Sequence, residues 1–102
     1  MKNKPCIYII TNDITKAFYI GSTSTSLAYR WSYHLKASIK PSSNSPLYRS
    51  IKEYGINHHH IEIFACPRAS NITKMALETL EYAIIQQFTN NKLLLNKKLK
   101  KR

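Results

Sequence analysis

Residues 6–21 read CIYIITNDITKAFYIG, and this stretch decides the fold. Two runs of β-branched and aromatic residues flank Asn12-Asp13, a dipeptide typical of turns, which predicts a β-hairpin. Because side chains alternate between the two faces of a strand, Tyr8 and Tyr19 are expected on one face of the hairpin. The opposite face should carry Ile7, Ile9, Phe18 and Ile20. The two tyrosines can therefore share one site.

The chain after the hairpin combines helical and strand patterns. Apolar residues recur three to four apart in three stretches, which predicts helices over residues 27–39, 47–54 and 71–88. An alternating pattern over residues 58–66, closed by Pro67, predicts a third strand. One face of this strand should carry Ile61, Ile63 and Ala65. The expected fold is α+β, a small three-stranded antiparallel sheet flanked by helices in the order ββααβα.

The charge of the chain indicates a polyanionic partner. Its 102 residues contain 16 Lys and Arg but only five Asp and Glu, a formal net charge of +11. An excess of this size is typical of proteins that bind nucleic acid. A chain of this length has room for one core, so we expect one domain over residues 1–96 and a basic tail over residues 97–102. The tail is either a solubilising segment or a set of phosphate contacts, and the net charge favours phosphate contacts.

Two absences in the sequence bear on where the protein acts. No stretch approaches the ~20 consecutive apolar residues of a membrane-spanning helix, and the N-terminal residues lack the long apolar region of a secretory signal. Cys6 and Cys66 do not lie in the spacing of a zinc site. We therefore expect an intracellular protein, cytoplasmic or nuclear, that does not bind membranes and keeps both cysteines reduced. A disulfide between them is the alternative.

Several features together resemble the GIY-YIG nuclease family. They are Ile7-Tyr8 and Tyr19-Ile20-Gly21 in the hairpin, the pattern Arg30-x-x-x-His34 in the next helix, a glutamate in the last long helix, and Asn96 after a leucine run. Each short motif is weak alone, and their joint order and spacing give the resemblance its weight. It spans residues 6–96. Cys6 departs from the family pattern, which has glycine there.

The resemblance implies a DNA endonuclease that hydrolyses phosphodiester bonds with Mg²⁺ or Mn²⁺. In this family Tyr8 would be the general base toward water, assisted by His34, and its phenol pKa would have to fall from about 10 through nearby positive charge or metal. Arg30 would contact the scissile phosphate with its fork of donors. Tyr19 would hold the phosphate or the water. Substrate contacts are expected from Gly21, Ser22, Arg30, Asn96, Lys97 and Lys98.

The metal ligand has to come from a small set of acids. The chain contains Asp13, Glu53, Glu62, Glu78 and Glu81. The family carries its ligand on the helix after the third strand, which leaves Glu78 and Glu81. Glu81 is favoured because large apolar residues follow it as they follow the family's glutamate, and Glu78 is the alternative. A single carboxylate suits Mg²⁺ or Mn²⁺, which keep several waters.

These residues also have ordinary structural interpretations. Strand tyrosines are mostly half-buried sheet aromatics, and Arg30 with His34 can form a solvated helix flank. Residues 58–60 are three histidines, but strand alternation splits them between faces, which predicts a solvated edge or a DNA-side surface. The competing functions are a nucleic-acid-binding module without activity and a basic RNA-associated protein. Target specificity is expected to be low or directed by DNA structure, or else supplied by a separate partner or a missing region. The sequence leaves the oligomeric state open.

Overall fold

The computed structural model describes residues 4–67 and 71–96. The strands and helices are β1 (Cys6–Asn12), β2 (Phe18–Thr23), α1 (Leu27–Ser38), α2 (Pro46–Tyr54), β3 (His59–Ala65) and α3 (Lys74–Gln86), with a 3-10 turn (Ile56–His58) before β3. The predicted α+β class and the order ββααβα are confirmed. The predicted basic tail, residues 97–102, lies outside the described residues.

Strand β1 lies at the centre of an antiparallel sheet with the order β2-β1-β3. Tyr8 lies opposite Gly21, and Ile10 lies opposite Tyr19. Directly opposed residues share a face, so Tyr8 and Tyr19 lie on the same face of the hairpin, as the alternation predicted. This places both phenols on the side of the sheet where α1 and α2 pack.

Apolar clusters cover both faces of the sheet. Helix α3 packs on one face, where the buried residues are Ile7, Ile20, Leu77 and Ile85. Helices α1 and α2 pack on the other, where the buried residues are Tyr8, Ile10, Leu47 and Ile51. Each such aliphatic or aromatic side chain stabilises the fold by about 1.5–3 kcal/mol. Among the helices of the described segments, none combines the length and the apolar character needed to cross a membrane.

Hydroxyl side chains set where each helix begins. Ser26, Ser45 and Thr73 lie just before α1, α2 and α3, and each accepts the backbone N–H of the residue three positions on. Such caps satisfy a donor that the helix itself leaves unpaired. Gly55 ends α2 with φ +94, a conformation that glycine adopts without strain. The cap at Ser26 fixes the start of α1 and therefore the position of Arg30 one turn later.

Strand β3 departs from the predicted alternation at Phe64. Ile7 pairs with Ala65 whereas Tyr8 pairs with Ile63, so Phe64 is an additional residue that forms a β-bulge. The bulge turns Ala65 toward the α3 cluster, while Ile61 packs in the other one. The prediction that Ala65 shares a face with Ile61 is therefore wrong, because an inserted residue shifts the alternation without changing the composition of the strand.

The outer edge of β2 is paired over only part of its length. The Phe18 N–H donates to the Leu93 carbonyl (2.8 Å), and the Phe18 carbonyl accepts from Leu95 N–H (2.6 Å). The Asn96 side chain continues this ladder, because its Oδ1 accepts from Ile20 N–H (2.9 Å) and its Nδ2 donates to the Ile20 carbonyl (2.8 Å). Within residues 4–67 and 71–96, no strand pairs with the outer edge of β2 beyond Ile20, where β1 pairs only with the inner edge. The open end of this edge is where the candidate site lies.

Candidate active site

A pocket of about 310 Å³ lies beside the open end of β2. Its lining includes Tyr8, Tyr19 and Arg30, which belong to the face of the sheet covered by α1, together with Ser22 and Glu81 from the face covered by α3. Side chains from opposite faces of the sheet can line one pocket here because β2 is an edge strand. Beyond its outer edge no further strand separates the two faces in the described residues. The pocket therefore brings together four of the five predicted catalytic residues.

The fifth, His34, lies directly behind the pocket. Its Nε2 is 2.6 Å from the Tyr8 hydroxyl, and its Nδ1 is 2.8 Å from the Tyr48 hydroxyl. Arg30 Nε–H also donates to the Tyr8 oxygen, at 3.2 Å. The Tyr8 hydroxyl is thus held between an imidazole and a guanidinium, and His34 is placed to assist it by hydrogen bonding.

Burial controls the ionisation of these groups. It raises the pKa of Tyr8 to about 12, outweighing the hydrogen bond and the positive charge of Arg30, which lower it. It also raises the pKa of Tyr19. In the protein alone, the positive charge of Arg30 therefore does not bring the Tyr8 pKa below its ordinary value, because desolvation of the phenolate is the larger effect. Burial, together with Arg30, lowers the pKa of His34 to about 4, so this imidazole is neutral at pH 7.

Gly21 makes room for the Tyr8 side chain. A Cβ atom at this position would lie 2.9 Å from Cε1 of Tyr8 and closer still to Cζ and the hydroxyl. Any larger residue would push the phenol away from His34 and Arg30. Gly21 lines the pocket, where substrate contact was predicted for it, and its absent side chain also positions the tyrosine.

Glu81 is the half-buried carboxylate of the pocket. Ser22 Oγ–H donates to Glu81 Oε1 at 2.5 Å, and no other hydrogen bond reaches the carboxylate from the described residues. Burial raises the pKa of Glu81; the bond from Ser22 opposes this shift, Glu78 adds to it and Arg30 opposes it. Ser22, predicted as a substrate contact, is therefore bonded to the acid of the site.

The acids of the pocket fit a hard divalent cation held largely by water and substrate. Glu78 also lines the pocket but is exposed. In residues 4–67 and 71–96, no group of three or more His, Cys, Asp or Glu residues could hold a metal ion. Mg²⁺ and Mn²⁺ do not require such a group, because they bind through one or two carboxylates, phosphate oxygens and waters. The free oxygen of Glu81 is suited to this role.

Asn96 lies away from the pocket lining. Both polar atoms of its amide are bonded to the backbone of Ile20, so it braces β2. The predicted substrate contact at Asn96 stays a prediction. Lys97 and Lys98, predicted as substrate contacts as well, lie outside the described residues.

The three-histidine segment is split between faces as alternation requires, but it is not all solvated. His58 Nδ1 and His60 Nε2 lie 3.0 and 2.9 Å from the two carboxylate oxygens of Asp13. His59 is buried, with hydrogen bonds to Ser50 Oγ (2.8 Å) and the Gly55 carbonyl (2.8 Å). The expectation of a solvated edge is therefore wrong for His59, because α2 covers that face of β3.

Sequence patterns missed two polar contributors to the site. Tyr48 lies in the apolar repeat that predicts α2, and the repeat gives it no role in the site. In the structure its hydroxyl forms a hydrogen bond with His34. Lys74, the first residue of α3, lies at the pocket and adds positive charge. No local pattern identifies either one, because each depends on how a helix docks on the sheet.

Comparison with known proteins places this chain in a family. The family model described as "GIY-YIG catalytic domain" matches residues 4–94. A solved structure titled "Structure of the Catalytic Domain of Homing Endonuclease I-TevI" has a TM-score of 0.74, covers 94% of this chain and 100% of that chain, and shares 24% sequence identity. At this identity the likeness shows a common fold. No curated protein sequence matches the chain.

Proposed function

The chain belongs to the GIY-YIG catalytic domain family, a nuclease family, and on that premise we propose that it is a DNA endonuclease that hydrolyses phosphodiester bonds with a divalent metal ion. The observation that carries the proposal is the convergence of a phenol (Tyr8), a guanidinium (Arg30) and a carboxylate (Glu81) on one pocket. Phosphodiester hydrolysis needs a base for the attacking water, neutralisation of the phosphate charge, and a cation near the leaving oxygen. These three groups correspond to those needs.

The proton of the attacking water would pass to Tyr8. Its oxygen already accepts a hydrogen bond from Arg30 and lies 2.6 Å from His34, so a phenolate there would keep two stabilising contacts. A base of this kind typically contributes about 10²–10⁴-fold to the rate. Tyr19, half-buried in the same pocket, would hold the phosphate or the water through its hydroxyl.

Arg30 would neutralise the phosphate. One of its five N–H donors is bonded to Tyr8, and its guanidinium lies 4.6 Å from the centre of the Tyr33 ring, which orients it. Among the described residues no hydrogen bond uses its other donors, which can form the fork that matches phosphate oxygens. Lys74 at the pocket would add a further phosphate contact.

Glu81 would hold Mg²⁺ or Mn²⁺ through the carboxylate oxygen that Ser22 leaves free. When bound, the ion would stabilise the negative charge that develops on the phosphate and the leaving oxygen. Glu78 is the alternative ligand. Its exposure favours Glu81, since a half-buried carboxylate is already oriented by its contact with Ser22.

DNA is the proposed substrate and partner. The net charge of +11 supports sequence-independent attraction to phosphates, and we further propose an intracellular location and a basic C-terminal tail that adds phosphate contacts. Residues 1–96 would form the catalytic unit. A separate partner would supply target choice.

Cleavage of a DNA panel tests the proposal. Supercoiled, linear, nicked, flap and branched DNA are incubated with the protein in Mg²⁺, in Mn²⁺ and in EDTA. We expect strand cleavage of at least one substrate in one metal and none in EDTA. DNA binding without cleavage in every metal would instead support a basic binding module without activity.

A matched pair of variants identifies the metal ligand. Glu81→Gln should lower the cleavage rate by about 10³-fold, whereas Glu78→Gln, one turn away on the same helix, should change it less than about fivefold. Both variants should melt within a few degrees of the wild type. The reverse ranking would assign the ligand to Glu78.

A further inference from the structure

His34 lies between two hydroxyl groups, and each of them can either donate or accept a hydrogen bond. Its Nε2 faces Tyr8 and its Nδ1 faces Tyr48. The rings of Tyr19 and Tyr33 pack edge-on against the imidazole, each with a centroid distance of 5.8 Å, and form no hydrogen bond with it. In the described part of the chain, the two hydroxyls are therefore the only hydrogen-bond partners of this ring.

The resting direction of these hydrogen bonds follows from the donors available. Arg30 can only donate, so the Tyr8 oxygen accepts from it. Tyr8 is fully buried, so its own O–H needs an acceptor inside the protein, and of the groups in the described segments His34 Nε2 is the acceptor within reach. A neutral imidazole that accepts at Nε2 carries its proton on Nδ1 and donates it to the Tyr48 oxygen. The Tyr48 O–H is then directed away from His34, on a side chain that is only half-buried.

We propose that Tyr48 is the outlet of a proton path that runs from Tyr8 through His34 to solvent, and that Tyr48 positions His34 to accept the Tyr8 proton. The inference rests on the proposed nuclease function and adds a positioning residue to its site. It explains how a buried phenol, unable to contact bulk water, loses its proton when DNA covers the pocket.

Each proton transfer along this path breaks one bond to hydrogen and forms another. The Tyr8 O–H bond breaks as the Nε2–H bond of His34 forms, the Nδ1–H bond breaks as a new O–H bond forms on Tyr48, and the original Tyr48 proton passes to bulk water. The products are a Tyr8 phenolate, a neutral His34 in its other tautomer, a neutral Tyr48 and one proton in solvent. The phenolate then accepts hydrogen bonds from Arg30 and from His34, and takes its proton back from the attacking water.

Charged and titratable groups face the proton path from each surrounding strand and helix. They are Tyr8 on β1, Tyr19 on β2, Arg30 and Tyr33 on α1, Tyr48 on α2 and Glu81 on α3. Arg30 disfavours a second proton on His34. The imidazole therefore passes a proton along by changing tautomer, without holding two protons at once.

The tautomer of His34, observed by ¹⁵N NMR of the imidazole, tests the path without any need for cleavage. We expect the Nδ1–H tautomer in the wild type. Tyr48→Phe should keep this tautomer, because Tyr8 still donates to Nε2, but should shift the Nδ1–H proton signal upfield, because the acceptor of that proton is lost. The control is Tyr54→Phe, a half-buried tyrosine of the same helix with no side-chain hydrogen bond in the described segments. A wild-type His34 in the Nε2–H form, or no change in Tyr48→Phe, overturns the proposal.

Single-turnover cleavage in mixtures of H₂O and D₂O provides the kinetic test. Tyr48→Phe should lower the cleavage rate constant about tenfold with the KM for DNA unchanged. In the wild type, a plot of the rate constant against the D₂O fraction should be curved, because several protons move together. In Tyr48→Phe the same plot should be linear, because fewer protons move. A lower rate with the wild-type curvature, or a rate within twofold of the wild type, overturns the path. Failure of the wild type to cleave any DNA would overturn the nuclease proposal instead, while the NMR result still decides the hydrogen-bond arrangement.

Discussion

Two buried histidines on the same face of the sheet have different partners, and the difference separates a site that can move a proton from one that cannot. His34 is bonded to hydroxyls at both ring nitrogens. His59 is bonded at Nδ1 to the Gly55 carbonyl, which can only accept, and at Nε2 to Ser50 Oγ. The His59 proton must therefore stay on Nδ1, whereas His34 has acceptable partners in either tautomer.

Every hydrogen bond in the network around His59 has its donor and acceptor fixed. Ser50 Oγ accepts from Asn12 Nδ2 at 3.0 Å and donates to His59. Asn12 Oδ1 accepts from the backbone N–H groups of Ile14 (2.8 Å) and Thr15 (3.2 Å). This network ties the β1–β2 turn to α2 and β3. Tyr8 and Asn12 lie four residues apart on β1, so one strand carries a candidate catalytic network near one end and a bracing network at the other.

Loss of the Tyr8 hydroxyl should give the largest effect at the pocket end. Tyr8→Phe keeps the buried ring but removes the proposed base, so we expect the single-turnover cleavage rate to fall about 10³-fold, equivalent to about 4 kcal/mol of transition-state stabilisation. The loss of its two hydrogen bonds should also lower the melting temperature, so the rate is measured at a temperature where the variant is folded. Tyr54→Phe is the matched control, and a Tyr8→Phe rate within tenfold of the wild type would remove Tyr8 from the chemistry.

Asn12→Ala should give the largest effect at the bracing end. The change removes three hydrogen bonds and leaves Ser50 without its donor, so the free energy of unfolding should fall by about 3 kcal/mol in urea denaturation. The cleavage rate per folded molecule should stay within about twofold. Asn57→Ala, at an exposed position near β3, is the control and should change neither the free energy of unfolding nor the cleavage rate. A specific loss of activity in folded Asn12→Ala would mean that the two networks are coupled.

Acidification should destabilise the protein through both histidines. Burial lowers the pKa of His34 to about 4 and lowers that of His59, so the unfolded chain binds protons below about pH 6.5 before the folded chain does. Stability is therefore complete above pH 6.5 and is lost as pH falls toward 4, by about 2 kcal/mol from His34 between pH 7.5 and pH 5.

Urea denaturation at pH 7.5, 6 and 5 measures this loss. His34→Gln and His59→Gln should each flatten the decline relative to the wild type, a comparison that cancels the opposite contribution of Glu81, whose pKa is raised. Equal slopes in wild type and both variants would show that neither histidine is buried in its neutral form.

Asn96→Ala should give the smallest effect. It removes two half-buried hydrogen bonds to the backbone of Ile20, so unfolding free energy should fall by about 1 kcal/mol with the KM for DNA unchanged. Asn90→Ala, exposed nearby, serves as the control. A raised KM with unchanged stability would instead support the predicted substrate contact at Asn96.

Local periodicity explains the part of the site that could be predicted from sequence. The shared face of Tyr8 and Tyr19 follows from strand alternation, and the proximity of Arg30 to His34 follows from one turn of helix. Both are properties of the backbone and do not depend on what packs around it. The three helices and the third strand were predicted within a few residues of their bounds for the same reason.

Contacts that depend on docking could not be predicted. The bond from Ser22 to Glu81 requires α3 to reach around the edge of β2, and the bond from Tyr48 to His34 requires α2 to pack beside α1. The rise in the Tyr8 pKa depends on burial that no residue spacing reports. The bulge at Phe64 could not be predicted from the residue types of β3, because it changes only which residues of β1 and β3 pair.

The single-turnover cleavage rates of His34→Gln and His59→Gln, measured side by side at a temperature where circular dichroism shows both variants folded, test most directly whether the pocket network alone performs the chemistry. We expect His34→Gln to cleave about 10²-fold more slowly than the wild type, and His59→Gln to cleave within about twofold of it. Equal losses in the two variants, or a larger loss in His59→Gln, would contradict the assignment of the active site to the Tyr8 end of the sheet.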